Sequence, residues 1–317
     1  MTGDGVIAAE VQAGLAEIEG ANVGYDAEFG SKTTYRVGGR CTAMITCQSL
    51  DSLGKVLELV SPRPIYVLGN GSNTLVSDRG WDGIVLRLLG DFEKITVMPT
   101  FARLGAAVSL PVAARKLASL GLGGMEWAVG IPGTVGGAVK MNAGGHGSET
   151  AGWLEGAEVY RFSEGDYHLQ RASKNDLGLR YRGSNIADMD VVASASFNFV
   201  KRDQADARRI ISEIVSWRRK HQPGGQNAGS VFANPENDHA ARLIESIGLK
   251  GLKYRTAEVS QRHANFIQSS VGGSGDDVFE LIWLIEQRVE AELGVRLRTE
   301  IKLIGFDVER SRHLRGE

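Results

Sequence analysis

Apolar residues along this chain recur in two rhythms. Leu50, Leu53, Val56, Leu57 and Val60 lie three and four apart, which puts one side of a helix against a core. Ser49, just before them, suits an N-cap. The same stripe appears in 6–19, through Val6, Val11, Leu15 and Ile18, and in 204–220, through Ala207, Ile210, Ile211, Ile214 and Trp217. Helices are also predicted over 109–120, with Pro111 in the first turn and Gly121 as the stop, and over 238–247 and 275–293. The second rhythm is that of strands: Ile65–Leu68, Ile84–Leu88, a β-rich piece at 93–108, Glu158–Phe162 and Asp190–Phe199. Lys32–Ile45 reads as extended chain broken at Gly38-Gly39. In 295–304, Val295, Leu297, Thr299, Ile301 and Leu303 alternate with Arg296, Arg298, Glu300 and Lys302, so a strand with one charged face is expected. Residues 307–317 are polar without a period and read as a loose tail. The mixture predicts an α+β fold. No repeat or long linker interrupts it, and three units are expected: 1–90, 91–202 and 203–317.

Composition narrows the function. The 317 residues carry a net charge of −2, with 42% hydrophobic and 23% charged, so a soluble globular protein without a nucleic-acid footprint is expected. No apolar run reaches the roughly 20 residues of a membrane helix. Glu10 interrupts the first apolar stretch and no basic segment precedes it, so no signal peptide is expected. Cys41 and Cys47 are too few for a disulfide framework or a four-ligand metal site, and fit a reducing cytoplasm. The His residues show no metal-ligand spacing. The basic end of the 204–220 helix, Arg218-Arg219-Lys220-His221, is accounted for by the helix dipole.

The densest chemistry lies in Gly121–Gly147, with ten glycines in 27 residues. Its centre is Gly130-Ile131-Pro132-Gly133-Thr134-Val135-Gly136-Gly137. A flexible linker would be polar and Ser-rich, whereas this run carries Trp127, Val129, Ile131, Val135, Val139 and Met141. It reads as buried backbone against a large flat ligand, with N–H groups converging on an anion. A second polar glycine loop, Gly69-Asn70-Gly71-Ser72-Asn73-Thr74, follows the strand at 65–68 and suits nucleotide phosphates. Thr74 takes the place of the third glycine of the dinucleotide fingerprint and no helix pattern follows, so an ordinary Rossmann site is not expected. Thr34–Gly39 is either a turn into a strand or a place where a cofactor meets backbone. Arg180 and Arg182 in Leu179–Ser184 are either solvated or mark an anion site.

Together these stretches resemble the UDP-N-acetylenolpyruvoylglucosamine reductases, flavoenzymes that complete UDP-N-acetylmuramate for peptidoglycan. The resemblance rests on Tyr35-Arg36-Val37-Gly38-Gly39, Leu68–Leu75, Gly130–Gly144 and Gly229-Ser230-Val231-Phe232. Tyr181–Ser184, His263-Ala264-Asn265-Phe266-Ile267 and Arg298–Ile301 match more loosely. The chain is similar to the shorter, type II form. The resemblance implies a vanillyl-alcohol-oxidase-like fold in two FAD-binding subdomains, 1–90 and 91–202, and a C-terminal α+β substrate domain, 203–317. It implies non-covalent FAD held by Gly69, Asn70, Gly71, Ser72, Asn73, Thr74 and Leu75, and by Gly130, Ile131, Pro132, Gly133, Val135, Gly136 and Gly137. Tyr35, Arg36, Asn142 and Ala143 would lie nearby. Asn234, Lys250 and His263 become candidates for the UDP-sugar, UDP-N-acetyl-3-O-(1-carboxyvinyl)-glucosamine, with NADPH as co-substrate. The implied protein is a cytoplasmic monomer that binds neither nucleic acid nor membrane.

Three residues match the family's catalytic positions. Arg182 would hold the substrate carboxylate as charge builds there, Glu300 would hold or protonate the same group, and Ser230 would deliver a proton to carbon. The plainer readings are a solvated sheet face for Glu300 and a backbone turn for Ser230. Ala233, Arg255-Thr256 and Gly145-His146 depart from the family pattern near the expected flavin or substrate. Competing functions are an FAD-dependent sugar or alcohol oxidase of the same fold, with His146 as the one His in the glycine run, and a nucleotide-binding regulator without turnover.

Overall fold

The computed structural model describes residues 7–317. Val6, the first apolar position of the expected N-terminal helix, lies outside the described residues. The chain forms two compact units. The first holds the chain up to Tyr25, Thr42–Asn70 and Gly83–Arg218; the second holds Asp26–Cys41, Gly71–Asp82 and Arg219–Glu317.

In the first unit, a four-stranded sheet runs in the order Ala21–Glu28, Arg40–Cys47, Trp81–Leu88, Ile65–Val67. The helix Leu50–Val60 belongs to the same core, with Leu53, Val56, Leu57 and Val60 buried. Its predicted cap is present: Ser49 and Ser52 exchange side-chain and backbone bonds as a capping box. A five-stranded antiparallel sheet follows, ordered Asp166–Ser173, Leu154–Ser163, Val191–Asn198, Phe101–Gly105, Ile95–Val97. The strand Asp166–Ser173 is mostly exposed, and so left no apolar pattern to read.

The glycine run contains a helix, Val135–Met141, that its composition hides. Thr134 caps it, accepting from the N–H of Gly137. Its first turn is laced to the chain after Phe101–Gly105: Val135 N–H donates to Val108 at 2.9 Å and Gly136 N–H to Ala106 at 2.9 Å. A Cβ on Gly136 would stand 3.1 Å from that of Ala106. Glycine is needed there for close approach of two backbones, which outweighs its poor helix propensity.

The second unit is built on the helix Gly275–Leu293, bounded by Ser274 as N-cap and by Gly294 at φ +67°. A three-stranded antiparallel sheet, Lys253–Tyr254, Ala257–Val259 and Ile267–Ser269, and the helix Ala240–Ser246 share its core. The expected strand at 295–304 is narrower than its pattern. Only Lys302–Ile304 forms a ladder, parallel to Thr74–Val76, while Phe232 and Thr299 make a single bridge. The alternation is nonetheless real in burial, with Leu297, Ile301 and Leu303 inside.

The expected loose tail is a helix, Val308–Arg315. The Asp307 carboxylate caps it by accepting from Arg310 N–H, and Gly316 closes it at φ +76°. Leu314 is fully buried, and Arg310 forms a two-bond pair with Glu280 at 2.7 and 2.8 Å. The Arg310 guanidinium also lies 4.9 Å from the Phe279 ring centre and 4.6 Å from that of Trp283. Ser311 is buried as well, and His313 Nε2 lies 3.0 Å from the Glu286 carboxylate with its ring 5.0 Å from that of Trp283, so polar and ring contacts do much of the docking and leave no apolar period to read. Among the described residues, no helix is long and apolar enough to cross a membrane.

Candidate active site

In the first unit the two glycine stretches meet. Asn70 Nδ2 donates to the carbonyls of Pro132 at 3.0 Å and Gly133 at 3.3 Å. A Cβ on Gly69 would fall 2.5 Å from Thr134 Oγ1, so only glycine fits. Among the described residues, the backbone N–H groups of Gly69 and Asn70 donate to no backbone carbonyl. Open N–H donors suit a phosphate. Gly137 is exposed, and a Cβ there would meet only Thr134 Oγ1, at 3.6 Å. The residues present thus fit a bound nucleotide: donors for its phosphates, and a bare helix turn that a flat ring could approach.

The same unit sets Arg182 against the far end of this run. Arg180 and Gly183 exchange backbone bonds at 2.9 and 3.0 Å, with Arg182 at φ +55° between them. Asn142, itself left-handed at the C-cap of Val135–Met141, donates to the Arg180 carbonyl at 3.1 Å. Its Oδ1 accepts from Ala151 N–H at 2.9 Å, and Ala143 N–H closes back on Ala138 at 2.9 Å. Ser184 Oγ donates to the Lys140 carbonyl at 2.7 Å. The turn is therefore fastened to the helix end on both sides of Arg182. The Arg182 guanidinium points toward Gly144, with Nη1 3.4 Å from its carbonyl oxygen. His146, where the family pattern has an aromatic, stands edge-on to Trp217 at 5.3 Å. Burial, with help from Arg218, lowers its pKa.

The second unit brings Ser230 and Glu300 together. Glu300 N–H donates to the Val231 carbonyl at 2.9 Å, and Ala233 N–H to Arg298 at 2.8 Å. Asn73, from the Gly69–Leu75 loop, donates through Nδ2 to the Glu300 carbonyl at 2.9 Å and accepts from Lys302 N–H at 2.8 Å. Thr34 donates through N–H and hydroxyl to the Gly71 carbonyl at 3.1 and 3.3 Å, which ties Tyr35 and Arg36 to the same loop. Gly71 has φ +63°, and a Cβ would lie 2.6 Å from Thr33 Cα. Tyr35 is fully buried, and burial raises its hydroxyl pKa. Arg36 is exposed in a left-handed conformation.

Among the described residues the Ser230 hydroxyl makes no hydrogen bond. The other candidates are structurally engaged. Asn234 Oδ1 accepts from Ala240 N–H at 3.1 Å, at the start of Ala240–Ser246. Lys250 pairs with Glu245 at 2.8 Å. His263 Nδ1 accepts from Asn265 N–H at 3.3 Å, its ring edge-on to Phe266 at 4.7 Å. Burial and then the charge of Lys250 lower its pKa, which favours the neutral ring. Arg255 and Thr256 are locked to the Gly275–Leu293 helix: Thr256 Oγ1 donates to Asp277 at 2.6 Å, and Arg255 lies 3.7 Å from the same carboxylate. Sequence reasoning assigned no role to Asn265, which proves to be the most heavily bonded residue beside the Ser230 loop. Its only signal was its place in the His263–Ile267 stretch.

Comparison with known proteins fixes the class first. Residues 41–168 match the FAD-binding domain family, and with the glycine loops above they define an FAD-dependent oxidoreductase. Residues 220–304 match the C-terminal domain of UDP-N-acetylenolpyruvoylglucosamine reductase. A reductase of that name from Symbiobacterium thermophilum is 38% identical over 279 residues, 87% of this chain and 90% of its own. One from Rubrobacter xylanophilus is 37% identical over 285 residues, 89% of this chain and 95% of its own. The crystal structure of UDP-N-acetylenolpyruvylglucosamine reductase from Thermus caldophilus has a TM-score of 0.76 at 34% identity, covering 90% of this chain and 98% of that one. This chain belongs to the UDP-N-acetylenolpyruvoylglucosamine reductase family.

Proposed function

We propose that the chain uses NADPH to reduce the enolpyruvyl ether of UDP-N-acetylglucosamine to UDP-N-acetylmuramate. FAD, when bound, supplies the redox relay, taking hydride from NADPH and giving it to the substrate's vinyl carbon remote from the ether oxygen. Gly69–Leu75 and Gly130–Gly137 hold it, with Tyr35, Arg36, Asn142 and Ala143 alongside. Residues 1–202 serve this cofactor and 203–317 the UDP-sugar, through Asn234, Lys250 and His263.

As hydride arrives, negative charge builds on the carbon bearing the ether oxygen and spreads into the carboxylate. Arg182 neutralises those oxygens with a rigid fork, and Glu300 holds or protonates the same group. Ser230 then gives its proton to the carbon. Serine is a weak acid, but the carbanion-like species is a strong base and positioning supplies the remainder. The observation that carries this reading is the unbonded Ser230 hydroxyl on a loop hydrogen-bonded to the backbone of Glu300. On this reading the protein works in the cytoplasm as a monomer.

The purified protein should absorb near about 370 and 450 nm, as oxidised flavin does. Acid should release that flavin to the supernatant, and NADPH should be consumed stoichiometrically with the enolpyruvyl substrate. Flavin that stays in the acid pellet, or oxygen consumption driven by a sugar or alcohol with no NADPH present, would instead identify an oxidase.

A further inference from the structure

Ser230 sits between two unlike neighbours. Gly229, before it, has φ +76° and open space where a side chain would project; it is tied only by its N–H to Asn227 Oδ1 at 3.0 Å. Val231 and Phe232, after it, are buried and held on two sides. One side is the Arg298–Glu300 backbone. The other is Asn265, 4% exposed. Its Oδ1 accepts from Phe232 N–H at 2.9 Å, its Nδ2 donates to the Phe232 carbonyl at 2.8 Å, and its own carbonyl accepts from Val231 N–H at 2.9 Å.

An amide that bonds both N–H and C=O of one residue does what a neighbouring strand would do. Among the described residues no strand ladder holds Phe232 on that side, and the side chain of Asn265 takes that part. Because Gly229 gives the loop a free pivot, the location of the Ser230 hydroxyl is set from the Val231-Phe232 side. His263 Nδ1, accepting from Asn265 N–H, fixes the clamp in turn.

We propose that Asn265 is the positioning residue for the Ser230 hydroxyl, a role that rests on the reading of Ser230 as proton donor. Asn265→Asp keeps the shape and the acceptor for Phe232 N–H but sets a carboxylate against the Phe232 carbonyl. Asn265→Ser removes both side-chain bonds to Phe232.

The test follows the flavin absorbance of FAD-loaded holoenzyme in two separate half-reactions. Reduction by NADPH should stay within about twofold of wild type, while reoxidation by the enolpyruvyl substrate should slow about 10- to 100-fold. In a Ser230→Ala background, Asn265→Asp should add less than about a further twofold, because a clamp with nothing left to position is silent. An unfolded fraction lowers the amplitude and leaves the rate intact, so poor folding does not obscure the result. Wild-type reoxidation in both Asn265 variants, equal slowing of both half-reactions, or full additivity with Ser230→Ala would overturn the proposal. If Ser230→Ala alone reoxidises at the wild-type rate, the donor assignment falls and this role falls with it. A slow Ser230→Ala beside fast Asn265 variants removes only the role of Asn265.

Discussion

The N–H of Glu300 donates to the carbonyl of Val231 at 2.9 Å. That bond joins the residue after Ser230 to one 69 positions further along the chain. Serine and glutamate are thus registered through backbone, which holds position better than two side chains could alone.

Replacing Ser230 should separate the half-reactions. In Ser230→Ala, flavin reduction by NADPH should be nearly unchanged. Reoxidation by substrate should fall by more than the roughly 10²–10⁴-fold usual for general-acid assistance, since a water-excluding site offers no substitute donor. Ser230→Cys should recover part of the loss. Stopped-flow traces at the flavin band read both steps, and equal slowing would make Ser230 a shaping residue only.

Arg182→Lys keeps a cation but loses the fork that its left-handed turn aims past Gly144. Losing one such contact to developing charge costs about 3 kcal/mol, roughly 100-fold in substrate-dependent reoxidation. If Arg182→Lys and Glu300→Gln both turn over like wild type, these side chains are structural.

The glycines of the 130–137 run do different jobs. Gly136 is packed on Ala106, 3.1 Å from where its Cβ would stand, so a larger residue there presses on protein as well as on any flavin beside it and is a poor probe of the cofactor. Gly137 is exposed and a Cβ there would meet Thr134 Oγ1 only at ordinary contact distance, 3.6 Å, so Gly137→Leu should reduce flavin content while apoprotein melting stays close to that of wild-type apoprotein. Full flavin occupancy in Gly137→Leu would move the cofactor away from this turn.

Leu314 is fully buried, and its carbonyl accepts from Thr299 N–H at 2.8 Å, next to Glu300. Leu314→Ala should cost about 2–5 kcal/mol in urea unfolding, as large-to-small core changes do. A loss below 1 kcal/mol would mean that the last helix is not part of the cooperative unit.

Acid should act partly through His263, whose pKa is lowered by burial and by Lys250. Above the ordinary histidine value of about 6.5, folded and unfolded chains are both neutral there and stability is flat. Below it the unfolded chain takes up a proton first, so stability falls with pH until the folded value is passed. His263→Gln should flatten that part of a melting-temperature profile, and an unchanged profile would assign the acid sensitivity elsewhere, His146 included.

Much of this was legible where signals were redundant. The helix Gly275–Leu293 has an apolar stripe, a serine cap and a terminal glycine that agree, and its sequence-predicted bounds coincide with the observed ones. The helix Val135–Met141 was hidden because propensity argued against it, and the close approach to Ala106 that reverses the argument is tertiary. The alternation in 295–304 reported correctly which side chains are inside, but side-chain period says nothing about which backbone groups find partners. Asn265 was invisible for a related reason: a buried asparagine and a solvated one are the same letter until the Phe232 backbone is beside it. The glycine loops stood out because their signal lies in residue type and short spacing, whereas Ser230 was singled out only by the likeness of its loop to a family motif.

Tyr35, Val37 and Leu75 are buried in one cluster with Ile282, Leu297 and Leu314. Segments of the first quarter of the chain therefore wait for its last turn of helix. At typical synthesis speeds of about 5–20 residues per second, the interval between Leu75 and Leu314 leaving the ribosome is roughly 10–50 s. During that time the apolar side chains around Tyr35 and Leu75 have no finished core to enter. This order of events makes folding of the second unit dominated by distant contacts, hence slow, and exposes the Tyr35 and Leu75 segments to chaperones and proteases until the Leu314 segment has been made.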